Sequence, residues 1–177
     1  MLENPPPVFQ LPAALVAKGF ALRPETDDDL PFLLRLYAST REQELASVPW
    51  SPEQKQAFLT QQFQAQRHHY RTHIPLCRFE VLEHGGEAIG RLYLEPRQTQ
   101  LHIVDIALLP DWRGRGIGTA ILQALIDTAA ETECGVGIFV EKFNPALRLY
   151  RRLGFGEIQD TGIYLEMERP PRRRCLS

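Results

Sequence analysis

The sequence is poor in cysteine. Cys77, Cys134 and Cys175 are three in a chain of 177 residues, and they stand far apart. An odd, scattered set forms neither a disulfide framework nor a zinc ligand cluster, so free thiols in a reducing cytoplasm are the expectation. Long apolar runs are lacking too. None approaches the ~20 residues that a membrane span needs. The first twenty residues lack a basic lead followed by an unbroken apolar stretch; Glu3, Pro5, Pro6, Pro7, Pro12 and Lys18 interrupt them. A secretory signal is not expected there. An excess of positive charge is also missing. Lys and Arg number 20 against 22 Asp and Glu, a formal net charge of −2. No global basic field is available to hold nucleic acid non-specifically, which disfavours a nucleic-acid partner.

What remains is a globular balance of 44% hydrophobic and 24% charged residues, in a length that suits one domain. Residues 1–19 read as a proline-rich arm able to dock on the domain, residues 20–168 as the domain, and residues 169–177 as a flexible basic tail. Phe20 to Pro24 reads as a first strand. Thr26 before Asp27, Asp28 and Asp29 opens a helix with Leu30, Leu33, Leu34 and Tyr37 inward. Ser51-Pro52-Glu53 opens a second, glutamine-rich helix carrying Phe58, Leu59 and Phe63. Leu76–Leu82 and Ala88–Leu94 flank the turn residues Glu83 to Gly86 as a hairpin. Then come a strand over Leu101–Leu109, a helix over Ile117–Ala130, a strand over Val136–Val140 and a short helix over Ala146–Leu153. Phe155–Ile158 and Ile163–Met167 read as a last pair of strands. This order predicts a mixed α/β layer fold with at least one parallel strand pair.

The chemistry concentrates after the apolar strand. Arg113-Gly114-Arg115-Gly116-Ile117-Gly118-Thr119 is a glycine-rich turn that opens a helix. Bared N–H groups and the helix dipole suit a pyrophosphate, with Arg113 and Arg115 adding charge and Thr119 a hydroxyl. A P-loop would end in Gly-Lys-Ser/Thr, and a dinucleotide fingerprint would place glycine where Thr119 stands; both templates fail. A tight turn without a ligand is the bland alternative. His102 and Asp105 are the polar residues inside Leu101–Leu109, and strict alternation sends them to opposite faces. His68, His69 and His73 have near-helical metal spacing but no identifiable carboxylate or cysteine partner, so no metal is expected.

The run Arg113 to Gly118 resembles the Gln/Arg-x-x-Gly-x-Gly/Ala signature of the GCN5-related N-acetyltransferase superfamily. Asn144-Pro145-Ala146-Leu147-Arg148-Leu149-Tyr150, continuing to Phe155, resembles that family's second hallmark. Leu22-Arg23-Pro24 and the acidic helix start resemble its opening elements, so the resemblance covers about residues 20–168. It implies a strongly twisted mixed sheet flanked by helices, with a splayed parallel strand pair that holds acetyl-CoA.

The same resemblance implies roles for individual residues. The pyrophosphate would sit on the amides of Arg113, Gly114, Arg115, Gly116, Ile117, Gly118 and Thr119. The pantetheine would pair with the strand edge at Ile106, Ala107 and Leu108, and the Ile106 N–H would hold the thioester oxygen. Asn144 would bond the pantetheine, or simply cap a helix. Tyr150 would protonate the departing thiolate, or simply pack in the core. His102 stands where some members carry a glutamate and others a histidine base; its ordinary pKa near 6.5 suits that task, and water is the alternative. Glu42 and Glu44 are expected in a loop after the first helix, where they would attract a cationic amine or form a solvated acidic surface. Asp105 reads as structural. The implied activity is acetyl transfer from acetyl-CoA to a primary amine, on a small molecule or a protein, by direct attack in a ternary complex. A CoA-binding module without catalysis and a nucleotide-phosphate binder are the alternatives. Members of the family often dimerise, so a homodimer enters as a further expectation.

Overall fold

A computed structural model describes residues 8–171. The elements are α1 (Ala13–Ala17), β1 (Phe20–Pro24), α2 (Leu30–Ala46), α3 (Pro52–His73), β2 (Arg78–His84), β3 (Glu87–Pro96), β4 (Gln100–Leu108), α4 (Ile117–Glu131), β5 (Gly135–Glu141), α5 (Leu147–Arg152), β6 (Gly156–Asp160) and β7 (Tyr164–Arg169). Seven strands form one open sheet in the order β1-β2-β3-β4-β5-β7-β6. Every pair is antiparallel except β4 with β5, which α4 joins. That is the mixed, helix-flanked sheet expected from the sequence.

Local chemistry sets the helix starts. The Ser51 hydroxyl accepts from the Gln54 N–H at 3.1 Å and the Gln54 side chain accepts from the Ser51 N–H at 2.9 Å. This reciprocal cap is worth about 1 kcal/mol, and Pro52 follows where its missing N–H costs nothing. Asp27–Asp29 form a 3-10 turn ahead of α2. The Asp29 carboxylate accepts from the Thr26 N–H at 2.8 Å and is gripped by the Arg23 guanidinium at 2.7 and 2.8 Å. The buried stripe of α2 is Phe32, Leu33, Leu36 and Tyr37. It is rotated from the expected stripe: Leu30 and Leu34 are only half-buried, while Phe32 and Leu36 are buried. On α4 the buried residues Ile117, Ile121, Leu122, Leu125, Ile126 and Ala129 repeat at helical spacing.

Two cores result, one on each face of the sheet. One joins α4 and Tyr150 to Leu92, Leu94, Leu101, Ile103, Val136, Ile138 and Met167. The other joins α2 and α3 to Val81. The amino-terminal segment belongs to the first core: Phe9 is 2% exposed, and Leu15 is buried beside it. At the other end, Arg169 is still part of β7, paired with Val136. The remainder of the basic tail, residues 172–177, and residues 1–7 of the arm lie outside the described residues.

Candidate functional site

The centre of the sheet opens between β4 and β5. Their parallel pairing runs only from Gln100–Gly135 to Ile103–Ile138, although both strands continue. Beyond that point β5 stays with β7, through Val140–Leu165 and Glu141–Tyr164. The far end of β4 is therefore unpaired on one side. The Leu109 N–H donates to the Ile89 carbonyl at 2.8 Å. Counting back through the register Gly90–Leu108 and Leu92–Ile106, alternation turns the N–H and C=O groups of Ile106 and Leu108 away from β3, into the gap. This is a strand edge ready to take an extended chain.

A bulge aims the side chains here. The β3–β4 register passes from Leu94–Ile103 to Tyr93–Asp105, so Val104 has no partner on β3. The extra residue reverses the alternation. Asp105 thus shares a face with His102, opposite Tyr93 and Glu95, and strict alternation fails at this point. The face is the one that α2 and α3 cover further along the sheet.

The glycine turn follows directly. Gly114 and Gly116 have φ of +71° and +80°, and no atom lies within 4 Å of where a Cβ would stand at Gly114, Gly116 or Gly118. Left-handed backbone and open space bare the amides at the head of the 15-residue α4. Arg113 Nε donates to the Leu108 carbonyl at 2.8 Å and its Nη2 to the Ser39 hydroxyl at 3.0 Å. It fastens the end of β4 to α2. Arg115 lies over the Trp112 ring at 4.9 Å. Thr119 is half-buried in the first turn of α4.

Tyr150, 4% exposed, belongs to the core cluster against which Ile106 packs, its ring edge-on to Phe155 at 5.6 Å. Burial and then the charge of Asp105 push its phenol above the usual tyrosine value, so it keeps its proton. Asn144 is exposed, and its side-chain oxygen accepts from the Ala146 N–H at 2.9 Å. It caps the chain ahead of α5; its amide nitrogen makes no hydrogen bond among the described residues.

His102 is 5% exposed and lies edge-on to Phe139 at 5.3 Å. Its Nδ1 faces the Gln100 side-chain oxygen at 3.2 Å. A donating Nδ1–H leaves Nε2 with the lone pair. Burial, aided by the charge of Arg97, lowers its pKa from 6.5 to about 4. The imidazole is neutral at physiological pH and a weaker base than its ordinary value suggests.

Glu42 and Glu44 fall inside α2 and not in a loop, because α2 runs on to Ala46. Both are exposed. Glu44 is paired with Arg41 at 3.0 Å, and Arg41 also reaches Glu141 at the end of β5 at 3.1 Å. His69 and His73 stack at 4.6 Å on the exposed end of α3, and among the described residues no group of three ligand-type side chains gathers.

Sequence reasoning missed a buried polar cluster between α3 and the sheet. Glu25 receives hydrogen bonds from the Tyr93 hydroxyl, from Arg67, and from Arg71 at 2.6 Å. Burial alone would raise its pKa, but these three partners hold it below the usual value. Beside it Arg91, 5% exposed, binds Asp105 and reaches Gln66 at 3.0 Å. The members come from α3, β3, β4 and the turn after β1, so no local pattern in the chain announces them.

Comparison with known proteins agrees with this geometry. The family model described as acetyltransferase (GNAT) family matches residues 33–155. An N-alpha-acetyltransferase of Sulfurisphaera tokodaii is 36% identical over an alignment covering 46% of this chain and 58% of that protein. A mycothiol acetyltransferase of Corynebacterium jeikeium is 35% identical, over 52% of this chain and 24% of that protein. The chain thus spans little more than half of the one relative and about a quarter of the other. Among solved structures, the PaiA N-acetyltransferase of Thermoplasma acidophilum in complex with coenzyme A superposes with a TM-score of 0.63 at 15% identity, covering 85% of this chain and 98% of that one. The ribosomal-protein-S18-alanine N-acetyltransferase of Escherichia coli gives 0.52 at 21% identity, covering 85% and 93%. At these identities the superpositions speak for the fold. With the family match over most of the chain, they establish that it belongs to the acetyltransferase (GNAT) family.

Proposed function

We propose that this chain transfers an acetyl group from acetyl-CoA to a primary amine by direct attack in a ternary complex. The observation that carries the reading is the gap between β4 and β5, where the Ile106 and Leu108 backbone groups face outward beside the bared amides at the head of α4. Two features suit the coenzyme A part of the donor. An extended pantetheine needs a free strand edge, and a pyrophosphate needs convergent N–H groups near a helix dipole. The carbonyl of Leu108 already accepts from Arg113, so the pantetheine either uses the second lone pair or displaces that side chain.

The chain's groups then divide the work. Amides from Arg113 to Thr119 hold the pyrophosphate. The Ile106 N–H donates to the thioester oxygen as charge builds on it, an effect worth a few kcal/mol. The acceptor ammonium gives up one proton to His102 Nε2 or to water; its nitrogen then forms the C–N bond, the C–S bond breaks, and the second proton shed by the nitrogen passes through water to replace the one that Tyr150 gives up. Tyr150 gives its proton to the departing sulfur. With its pKa near 4, His102 serves best as a relay that passes the proton on to water. Asn144 has its amide nitrogen left for the pantetheine.

Small molecules and proteins both offer such amines. The 36% identity to an N-alpha-acetyltransferase supports including the α-amine of a polypeptide. We place the reaction in the cytoplasm, where Cys77 and Cys134 remain free thiols; no helix among the described residues is long and apolar enough to cross a membrane.

Calorimetric titration with acetyl-CoA tests the donor, with ATP and NAD as controls. Saturable binding of acetyl-CoA alone is expected, and equal binding of all three overturns the reading. Tyr150→Phe is expected to lower kcat about 100-fold while the Kd for acetyl-CoA stays within about twofold. Unchanged turnover in that variant removes the acid role.

A further inference from the structure

We propose that Asp105 receives the ammonium group of the acceptor, with its carboxylate oriented for that task by Arg91. The inference rests on the acetyl-transfer reading and deepens it. The acceptor class becomes an aliphatic amine, charged in solution, and arylamines are excluded.

Asp105 stands immediately after the bulge and immediately before Ile106. It is on β4 at the point where β5 has already turned away. The bulge sends its side chain to the His102 face. The opposite face is filled by Ile106, Leu147, Tyr150 and the buried stripe of α4. A nucleophile approaching a thioester held at the Ile106 N–H therefore comes from the His102 face, and Asp105 is the carboxylate beside that path.

The carboxylate is held and only half used. Arg91 Nη2 binds Oδ2, while Oδ1 makes no hydrogen bond among the described residues, and the side chain is 21% exposed. Arg91 cannot follow solvent. It is buried, its ring-side neighbour is Tyr93 with the guanidinium 4.8 Å from the ring centre, and Gln66 accepts from its Nη2. The guanidinium therefore acts as a fixed strut behind the carboxylate. Of the other cations in the cluster, Arg67 and Arg71 are both engaged by Glu25. An alkylammonium, with an ordinary pKa near 10, is almost wholly charged at neutral pH and can add a charge-assisted bond to Oδ1. An arylamine is uncharged there and gains nothing from the carboxylate.

The test is a titration of the isotope-labelled chain, free and saturated with coenzyme A, followed through the Ile106 and Ala107 amide resonances. The probes are n-butylammonium chloride and n-butanol, at ionic strength matched with sodium chloride. A saturable shift with butylammonium and none with butanol is expected. Asp105→Asn should weaken butylammonium about tenfold, and Asp105→Glu should retain it within about threefold. Arg91→Lys, which keeps the buried charge, should preserve the preference for butylammonium, and Gln66→Leu should reduce it by loosening the strut. Equal shifts with both probes, no shift, or full affinity in Asp105→Asn overturns the assignment. The contrast between the two probes in the parent chain decides even if a variant fails to fold. Calorimetry with coenzyme A on the same sample separates the two readings. Failure to bind coenzyme A counts against acetyl transfer, while bound coenzyme A without an ammonium response counts against Asp105 alone.

Discussion

Replacing His102 by glutamine removes a titration that the fold has displaced by a large amount. Burial takes the imidazole from an ordinary 6.5 to about 4. The folded chain therefore holds it neutral across a window in which the unfolded chain protonates it. Above pH 6.5 both states are neutral and the group has no effect. As the pH falls from 6.5 to about 4, the unfolded state binds the extra proton and gains, so stability is lost over that window. The displacement corresponds to about 3 kcal/mol, most of it already lost at pH 4.5. That is a substantial part of the 5–15 kcal/mol typical of a domain. Urea unfolding of the parent chain and of His102→Gln at pH 7.5 and pH 4.5 measures it. Groups common to both chains cancel in the difference. The variant is expected to lose about 2–3 kcal/mol less than the parent between the two pH values. A difference that stays constant within about 0.5 kcal/mol refutes the burial argument, and with it the view of His102 as a relay held neutral.

Two further substitutions probe the backbone. Gly116→Ala keeps open space around the new methyl but forces it to φ +80°. The strain is about 1–2 kcal/mol, and acetyl-CoA binding measured by calorimetry should weaken about tenfold; unchanged binding removes the turn from the site. Gly90→Ala puts a Cβ 2.5 Å from the Ala107 carbonyl oxygen and 2.8 Å from the Leu108 side chain. It should cost about 1–3 kcal/mol in chemical unfolding by pushing β3 away from the working end of β4.

The legible parts of this fold were those written in local patterns. The stripe of α4 repeats every three or four residues, and the Ser51 cap lies next to the helix it starts. The glycine turn bares its own amides, so its place at the head of α4 could be read directly. The illegible parts depend on distant partners. The bulge at Val104 exists because β3 and β4 slip against each other, and nothing in Leu101–Leu109 encodes that slip; it alone moved Asp105 to the face of His102. Arg113 sits in the glycine motif by position, and its contacts to the Leu108 carbonyl and Ser39 depend on partners that the motif does not name. Glu42 and Glu44 looked like loop residues because α2 ends without a strong stop signal. Glu25, Arg67, Arg71, Arg91 and Tyr93 are ordinary residues until folding collects them.

That collection bears on how α3 is seated. Over 22 residues this helix buries only Leu59 and Phe63. Grease of that kind lets a cylinder roll on a flat surface at little cost, since one apolar contact replaces another. Arg67 and Arg71 sit one helical turn apart and close on the same carboxylate of Glu25. They act as a key in a shaft: any rotation of α3 about its axis pulls at least one guanidinium off a charge that has no water to turn to. The angular setting of the helix, and with it the place of Gln66 behind Arg91, is thus fixed by electrostatics where packing alone would leave it loose.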